Sequence, residues 1–104
     1  MNKICTSIEQ SQKLIKLGID VNTADMCWQN NEFPIGFNDD DAVPAWSLSA
    51  LLNLLFQPSL HNTAFGGWRC DYYKGPCWIF GEPSDNPIDA VFNSVVSLLE
   101  NKKA

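Results

Sequence analysis

The sequence predicts an α+β domain in which three helices pack on a small, mainly antiparallel sheet, in the order α, β, (β), α, β, β, α. Two observations carry this prediction. Three segments combine helix-spaced apolar residues with capping residues, and a stretch rich in aromatic residues surrounds a Lys-Gly-Pro turn. The 104 residues, 45% of them hydrophobic, supply one core and contain no linker or repeat, so we expect residues 1–104 to form a single domain.

The first helix is predicted from a capping pattern close to the N-terminus. Thr6 as N-cap and Glu9 three residues later match a capping box, in which each side chain accepts a hydrogen bond from the other residue's backbone N–H. Gly18 is expected to end this helix, because glycine readily adopts the left-handed conformation found after a helix C-terminus. The apolar face is expected to consist of Ile4, Ile8, Leu14, Ile15 and Leu17.

The segment between the first two helices has a less regular pattern. Residues 24–28 are predicted as a strand, with a helical turn as the alternative. Residues 33–37 are expected to form an extended edge segment, because Pro34 lacks the N–H that a central strand donates. The acidic run at residues 39–41 is expected to be a solvated loop.

The second helix is predicted over residues 47–56. Ser47 is expected to be its N-cap, and Pro58 follows at a position where a proline commonly ends a helix. Its apolar residues recur at the spacing of a core-facing stripe, and they are Leu48, Leu51, Leu52, Leu55 and Phe56.

The third helix has the fullest set of end signals. Asn86 is the predicted N-cap, Pro87 occupies the first helical position, and Asp89 lies in the first turn near the positive end of the helix dipole. One face carries Ile88, Val91, Phe92, Val95 and Leu99. Val96 and Leu98 widen this apolar stripe, so we expect the helix to be embedded between other elements.

Residues 68–81 are predicted to form a β-hairpin. If Lys74 and Gly75 are the two loop residues, Tyr72 faces Cys77 across the strands. One face of the hairpin then carries Trp68, Cys70, Tyr72, Cys77 and Ile79, and the other carries Arg69, Asp71, Tyr73, Trp78 and Phe80. Both faces are rich in apolar side chains, so the sequence leaves open which of them is buried.

The charge balance disfavours two classes of partner. Twelve Asp and Glu residues against seven Lys and Arg residues give a net charge of −5, and the basic residues are scattered along the chain. Binding to nucleic acid or to an anionic membrane depends on clustered Lys and Arg, so we expect neither. The N-terminus turns polar at once, and the longest apolar stretch, residues 50–56, is too short to span a membrane, so a cytoplasmic location is expected.

No set of polar residues specifies a cofactor or a reaction. The four cysteines are expected to be thiols, and the spacing of Cys70 and Cys77 exceeds that of structural zinc pairs, so no metal or cofactor is predicted. The sequence leaves open a catalytic dyad of His61 with Cys70 or with Cys77. However, His61 is expected in a solvated loop at residues 58–62, and no enzymatic activity is predicted.

Three segments carry a recognisable signature of helix caps, apolar stripes and a turn. They are residues 18–26 (Gly-Ile-Asp-Val-Asn-Thr-Ala-Asp-Met), residues 44–52 (Pro-Ala-Trp-Ser-Leu-Ser-Ala-Leu-Leu) and residues 86–92 (Asn-Pro-Ile-Asp-Ala-Val-Phe). Together they resemble a small uncharacterised protein family encoded in gut Bacteroidetes and their prophage-like elements. The resemblance implies an intracellular bacterial or phage origin, and it brings no activity, ligand or catalytic residue with it.

The aromatic residues of the hairpin lead to the functional hypotheses. If their face is covered, they complete the core together with Trp28 and Trp46. If the face is open, it is a candidate surface for a protein partner or a homo-oligomer, formed by Arg69, Asp71, Tyr73, Trp78 and Phe80. The chain is then a non-enzymatic interaction or regulatory protein. The alternative is a small-molecule-binding protein or enzyme, with a pocket between the 68–81 hairpin and the 47–56 helix.

Overall fold

The α+β class predicted from the sequence is confirmed. The computed structural model describes residues 4–28, 34–35, 42–55, 57–63, 67–74 and 76–102. In chain order these residues form helix α1 (Ile8–Lys16), a 3₁₀ turn (Val21–Thr23), strands β1 (Met26–Trp28), β2 (Pro34–Ile35) and β3 (Val43–Ala45), helix α2 (Leu48–Leu52), strands β4 (Ser59–Asn62), β5 (Trp68–Lys74) and β6 (Cys77–Ile79), and helix α3 (Pro87–Lys102). The strands pair antiparallel in two sheets, ordered β2-β1-β3 and β4-β5-β6.

Helix α1 begins one residue later than the sequence predicts. Ser7 is the N-cap, and its hydroxyl and the side chain of Gln10 form the capping box. The predicted box with Thr6 as N-cap is wrong because tertiary contacts recruit Thr6. Its Oγ1 accepts a hydrogen bond of 3.0 Å from the backbone N–H of Trp46 and lies 2.8 Å from Oγ of Ser11. All three hydroxyl and amide groups of this contact are buried, so it fixes the start of α1 against the core.

The end of α1 at Gly18 is confirmed. Gly18 has a φ of 100°, and its N–H donates to the carbonyl of Ile15 at 3.0 Å. The N–H of Ile19 donates to the carbonyl of Leu14, also at 3.0 Å. These two bonds form a Schellman motif, which provides donors for backbone carbonyls that are otherwise unpaired at the end of a helix.

The first sheet confirms the predicted strand in residues 24–28. Strand β1 lies at its centre, and Pro34 in β2 is on an edge, as expected for a proline. Strand β3 was not predicted. Its sequence, Val-Pro-Ala, is only three residues long and contains Pro44, and a proline argues against a strand. The predicted acidic loop at residues 39–41 lies outside the described residues.

Helix α2 is shorter than predicted. Ser47 caps it, and its hydroxyl accepts a hydrogen bond from the N–H of Ala50, but the helix ends at Leu52 instead of residue 56. The N–H groups of Leu54 and Leu55 bond to carbonyls three residues earlier, which tightens the chain into a turn before β4. The apolar stripe therefore extends past the end of the helix, because Leu55 is still buried.

The second sheet packs one face against α3, and helix α2 packs beside α3. Asn86 caps α3 as predicted, because its Oδ1 accepts a hydrogen bond of 2.9 Å from the N–H of Asp89. One hydrophobic core joins α1, α2, β5 and α3, and Trp46, which follows β3, belongs to it. Its buried residues are Leu14, Trp46, Ala50, Leu51, Leu55, Cys70, Tyr72, Ile88, Ala90, Val91, Phe92 and Val95.

The register of the hairpin differs by two residues from the prediction. Lys74 pairs with Cys77, and Tyr72 pairs with Ile79 instead of Cys77. The predicted register is wrong because it placed Pro76, which has no N–H to donate, in the first rung of the ladder. A slip of two residues preserves the alternation of side chains, so the predicted composition of the two faces holds.

A β-bulge interrupts the ladder between β5 and the chain that follows β6. Continuing the β5–β6 register would place Pro83 opposite Trp68, but Ser84 pairs with Trp68, which leaves one extra residue. Gly81 lies in this bulge. A Cβ atom at Gly81 would be 2.2 Å from the carbonyl oxygen of Cys70, so only glycine fits there.

We expect Gly81→Ala to destabilise the protein by about 2–4 kcal/mol, because the added methyl group meets backbone that cannot move aside. Gly18→Ala is the matched control. It has open space around the new Cβ atom and suffers only from its positive φ, which costs about 1 kcal/mol. Urea unfolding of both variants measures the difference, and equal losses would contradict a close approach at Gly81.

Candidate functional site: the outward face of the second sheet

The structure decides which face of the hairpin is buried. Cys70 and Tyr72 are buried against α3 on the inner face. On the opposite, outward face, Trp78 is 47% exposed and Phe80 is 71% exposed. The outward face is therefore open to solvent at these two aromatic side chains, and the tryptophan that completes the core is the fully buried Trp46.

Four side chains form what we call the aromatic face: Arg69, Tyr73, Trp78 and Phe80. The rings of Tyr73 and Trp78, paired across β5 and β6, meet edge to face with their centroids 5.4 Å apart. The guanidinium carbon of Arg69 lies 5.7 Å from the ring centroid of Phe80, within range of a cation–π contact. These contacts hold the four side chains in two pairs.

Asp71, the fifth predicted surface residue, lies beneath this face and is only 3% exposed. It therefore does not belong to the exposed rim. Its Oδ2 is 2.8 Å from Nε2 of His61 and 3.2 Å from Nη2 of Arg69, and its Oδ1 accepts a hydrogen bond of 2.9 Å from the N–H of Gly81. Nε of Arg69 lies 3.1 Å from Oδ1 without the alignment of a hydrogen bond. The carboxylate thus joins β4, β5 and the bulge.

The pKa of Asp71 is lowered from its usual value by these contacts. Burial by itself raises the pKa, but the hydrogen bond with His61, the bond from the N–H of Gly81 and the charge of Arg69 together outweigh it. Asp71 is therefore ionised at neutral pH and acts only as an acceptor. It follows that Nε2 of His61 carries the proton in this contact.

His61 was not predicted to contact Asp71. The sequence predicted a solvated loop at residues 58–62, but Ser59–Asn62 form strand β4, in which His61 pairs with Arg69 of β5. The loop prediction is wrong because an alternation of four residues after a proline is too short a signal to identify a strand. The pairing of β4 with β5, in which Ser59 opposes Asp71, places His61 on the same face as Asp71.

The structure does not bring a cysteine to His61. Cys70 pairs with Leu60 of β4 and shares the inner face with it, so its side chain points away from the face that carries His61. Cys77 also alternates to the face opposite His61 and lies at the turn end of the hairpin. Burial raises the pKa of Cys70 to about 11, so this thiol stays protonated at neutral pH.

A metal site needs clustered ligand side chains, and a small-molecule site needs a cleft, among the described residues. No three His, Cys, Asp or Glu side chains among them come close enough to hold a metal ion. A cleft of about 130 Å³ lies between the hairpin and α3. It is lined by Tyr72, Ile79, Phe80, Gly81, Glu82, Asn93, Ser94 and Ser97, and none of these residues comes from α2.

Comparison with known proteins gives no relative for this chain. No family model, no curated protein and no solved structure matches it. Among the helices that the structure describes, none is long and apolar enough to cross a membrane.

We expect Asp71→Asn to lower the free energy of unfolding at pH 7 by about 1–3 kcal/mol, because the buried carboxylate loses its charged contacts. The folded pKa of Asp71 lies below the unfolded value of about 3.9, so its stabilisation is present above about pH 4 and disappears as the pH falls through the folded pKa. Urea unfolding from pH 7 to pH 2 measures this. A gap between wild type and variant that does not narrow on acidification would contradict it.

Thiol labelling is expected to separate Cys77 from the other cysteines. Cys77 is exposed, whereas Cys5, Cys27 and Cys70 are buried. One thiol per chain should react quickly with an aromatic disulfide reagent at pH 8, and the remainder only after unfolding. Cys77→Ser should abolish the fast phase, and fast labelling that persists in this variant would contradict the assigned burial.

Proposed function

We propose that this protein is a non-enzymatic protein-interaction module that binds another protein chain through the aromatic face. The observation that carries the proposal is the exposure of Trp78 and Phe80, at 47% and 71%, on the outward face of the second sheet. Contiguous exposed apolar surface is characteristic of docking sites. Arg, Tyr and Trp are also the residue types enriched at the energetic centres of protein interfaces.

The support beneath this face favours binding. Arg69 is hydrogen-bonded to Asp71 and lies over the ring of Phe80, and the ring of Tyr73 packs edge to face against Trp78. Side chains that are already ordered lose less conformational entropy when a partner docks, so more of the contact energy appears as affinity. The aromatic face is thus organised before a partner arrives.

The titratable groups beside this face are occupied by contacts within the chain. Asp71 is ionised and bonds to three partners, and Nε2 of His61 is engaged in one of these hydrogen bonds. On the inner face of the same sheet, Cys70 is a buried, protonated thiol. This supports a non-enzymatic role in binding. A cytoplasmic site of action and a prophage or mobile-element origin complete the proposal, and they rest on the sequence alone.

A stability comparison tests whether the aromatic face is free for binding. The double variant Trp78→Ala/Phe80→Ala should lose only about 1 kcal/mol of unfolding free energy, mostly from the contact between Tyr73 and Trp78. Trp46→Ala, which empties a fully buried site, should lose about 3–5 kcal/mol. Similar losses in the two proteins, measured by urea unfolding, would assign Trp78 and Phe80 to the core.

Site-specific photo-crosslinking tests the binding itself. A benzophenone amino acid at position 80 should give one adduct of discrete mass in cells, because its side chain lies within the proposed contact. The same group at the exposed Ser49 of α2 is the control, and Trp78→Lys should remove the adduct at position 80. Absence of any adduct at position 80, or an equal yield at position 49, would contradict the proposal.

A further inference from the structure

We infer that the partner is a second copy of this chain, joined edge to edge through β6, so that two three-stranded sheets become one sheet of six strands. This inference rests on the proposed function, because it names the occupant of the surface around Trp78. The contact is carried by backbone hydrogen bonds at the edge of β6, and the aromatic side chains lie beside it.

Strand β6 has a free edge. In the order β4-β5-β6 it pairs with β5 on one side, and among the described residues no strand lies on its other side. Natural edge strands are commonly protected by a lysine, a proline or a bulge within the strand. Cys77, Trp78 and Ile79 contain none of these, and the bulge comes only afterwards, so only the three-residue length of β6 limits pairing at this edge.

The direction of the backbone groups in β6 follows from the pairing of β5. Trp68 exchanges both N–H···O bonds with Ser84, at 2.7 and 2.8 Å, so the backbone of Trp68 faces the β6 side. Alternation along β5 turns Tyr72 and Lys74 to the same side and Tyr73 to the other. Trp78, the partner of Tyr73, is then in a non-hydrogen-bonded pair, and its own N–H and C=O point out of the sheet at the free edge.

An antiparallel copy of β6 satisfies these two groups. With a two-fold axis beside Trp78, the N–H and C=O of Trp78 exchange two hydrogen bonds with Trp78 of the second copy. Cys77 then lies opposite Ile79 of that copy. Both tryptophan side chains are on the outward face, where each is already in contact with a Tyr73. The contact therefore continues one aromatic row across two molecules.

The edge of β6 presents no charged side chain to a second copy. Two chains of net charge −5 repel one another, so a homodimer needs a contact region without charge. Residues 76–81, Pro-Cys-Trp-Ile-Phe-Gly, contain no charged side chain. The other edge of the sheet, β4, carries Ser59, His61 and Asn62, whose polar side chains are costly to desolvate.

The first test is the solution mass of the full chain across a concentration series. The wild type should move from monomer mass toward twice that mass as the concentration rises. Trp78→Pro removes the outward N–H that the contact needs and should stay monomeric, whereas Trp78→Val keeps the N–H and should retain measurable dimer. Circular dichroism and urea unfolding confirm that both variants fold. A monomeric wild type, or equal association of the two variants, would overturn the inference.

The second test determines the register in which the two copies of β6 pair. In a Cys77→Ser background, Trp78→Cys places two thiols in a directly opposed pair with Cα atoms about 5.5 Å apart, which a disulfide accepts. Phe80→Cys is the matched control, because two such residues would be about 13 Å apart along the strands. Mild oxidation should link the first variant into dimers and leave the second monomeric. Equal linking of both, or of neither, would overturn the edge-to-edge arrangement.

These outcomes separate the inference from the proposed function. A monomeric wild type that still gives a discrete adduct with another protein at position 80 removes the second copy as partner and keeps the interaction module. A dimer that forms without the Trp78→Pro effect places the contact elsewhere on the chain. Absence of both dimer and adduct removes both proposals.

Discussion

The second sheet depends on the ionised carboxylate of Asp71. It lies where the chain after β6 leaves the ladder, and it accepts the N–H of Gly81 that the β-bulge turns away from the neighbouring strand. At the same irregularity, the carbonyl of Cys70 accepts a hydrogen bond of 2.6 Å from the hydroxyl of Ser94 in α3. Two side chains therefore compensate for the interruption of the ladder, and one of them ties the sheet to the helix. The position of Arg69, and with it half of the aromatic face, follows from the same carboxylate.

A second polar contact attaches the first sheet to the layer formed by the second sheet and α3. The hydroxyl of Thr6 accepts the N–H of Trp46, and the carbonyl of Thr6 accepts a hydrogen bond of 2.9 Å from the indole of Trp28. Trp46 belongs to the same core cluster as Tyr72, so the N-terminal segment and the first sheet are coupled to the hairpin by packing. Each of these buried polar groups has a partner, which explains why the core tolerates them.

Local signals in the sequence were sufficient for the helix ends at Gly18 and Asn86, because a cap depends on neighbours within four residues. Signals failed where a distant contact decided the outcome. Thr6 has the chemistry of an N-cap, yet the core recruits its hydroxyl. The faces of the hairpin were predictable, because alternation survives a slip of two residues. The contact of Asp71 with His61 was not predictable from the sequence, because it forms only when the short, unpredicted strand β4 pairs with β5.

The bulge at Gly81 also limits what the free edge of β6 can attract. Only the three residues Cys77–Ile79 precede it in regular strand conformation, so an incoming strand finds few ladder positions. Amyloid growth needs longer uninterrupted segments that stack without end. An edge of this length therefore lacks the long uninterrupted segment on which a fibril grows.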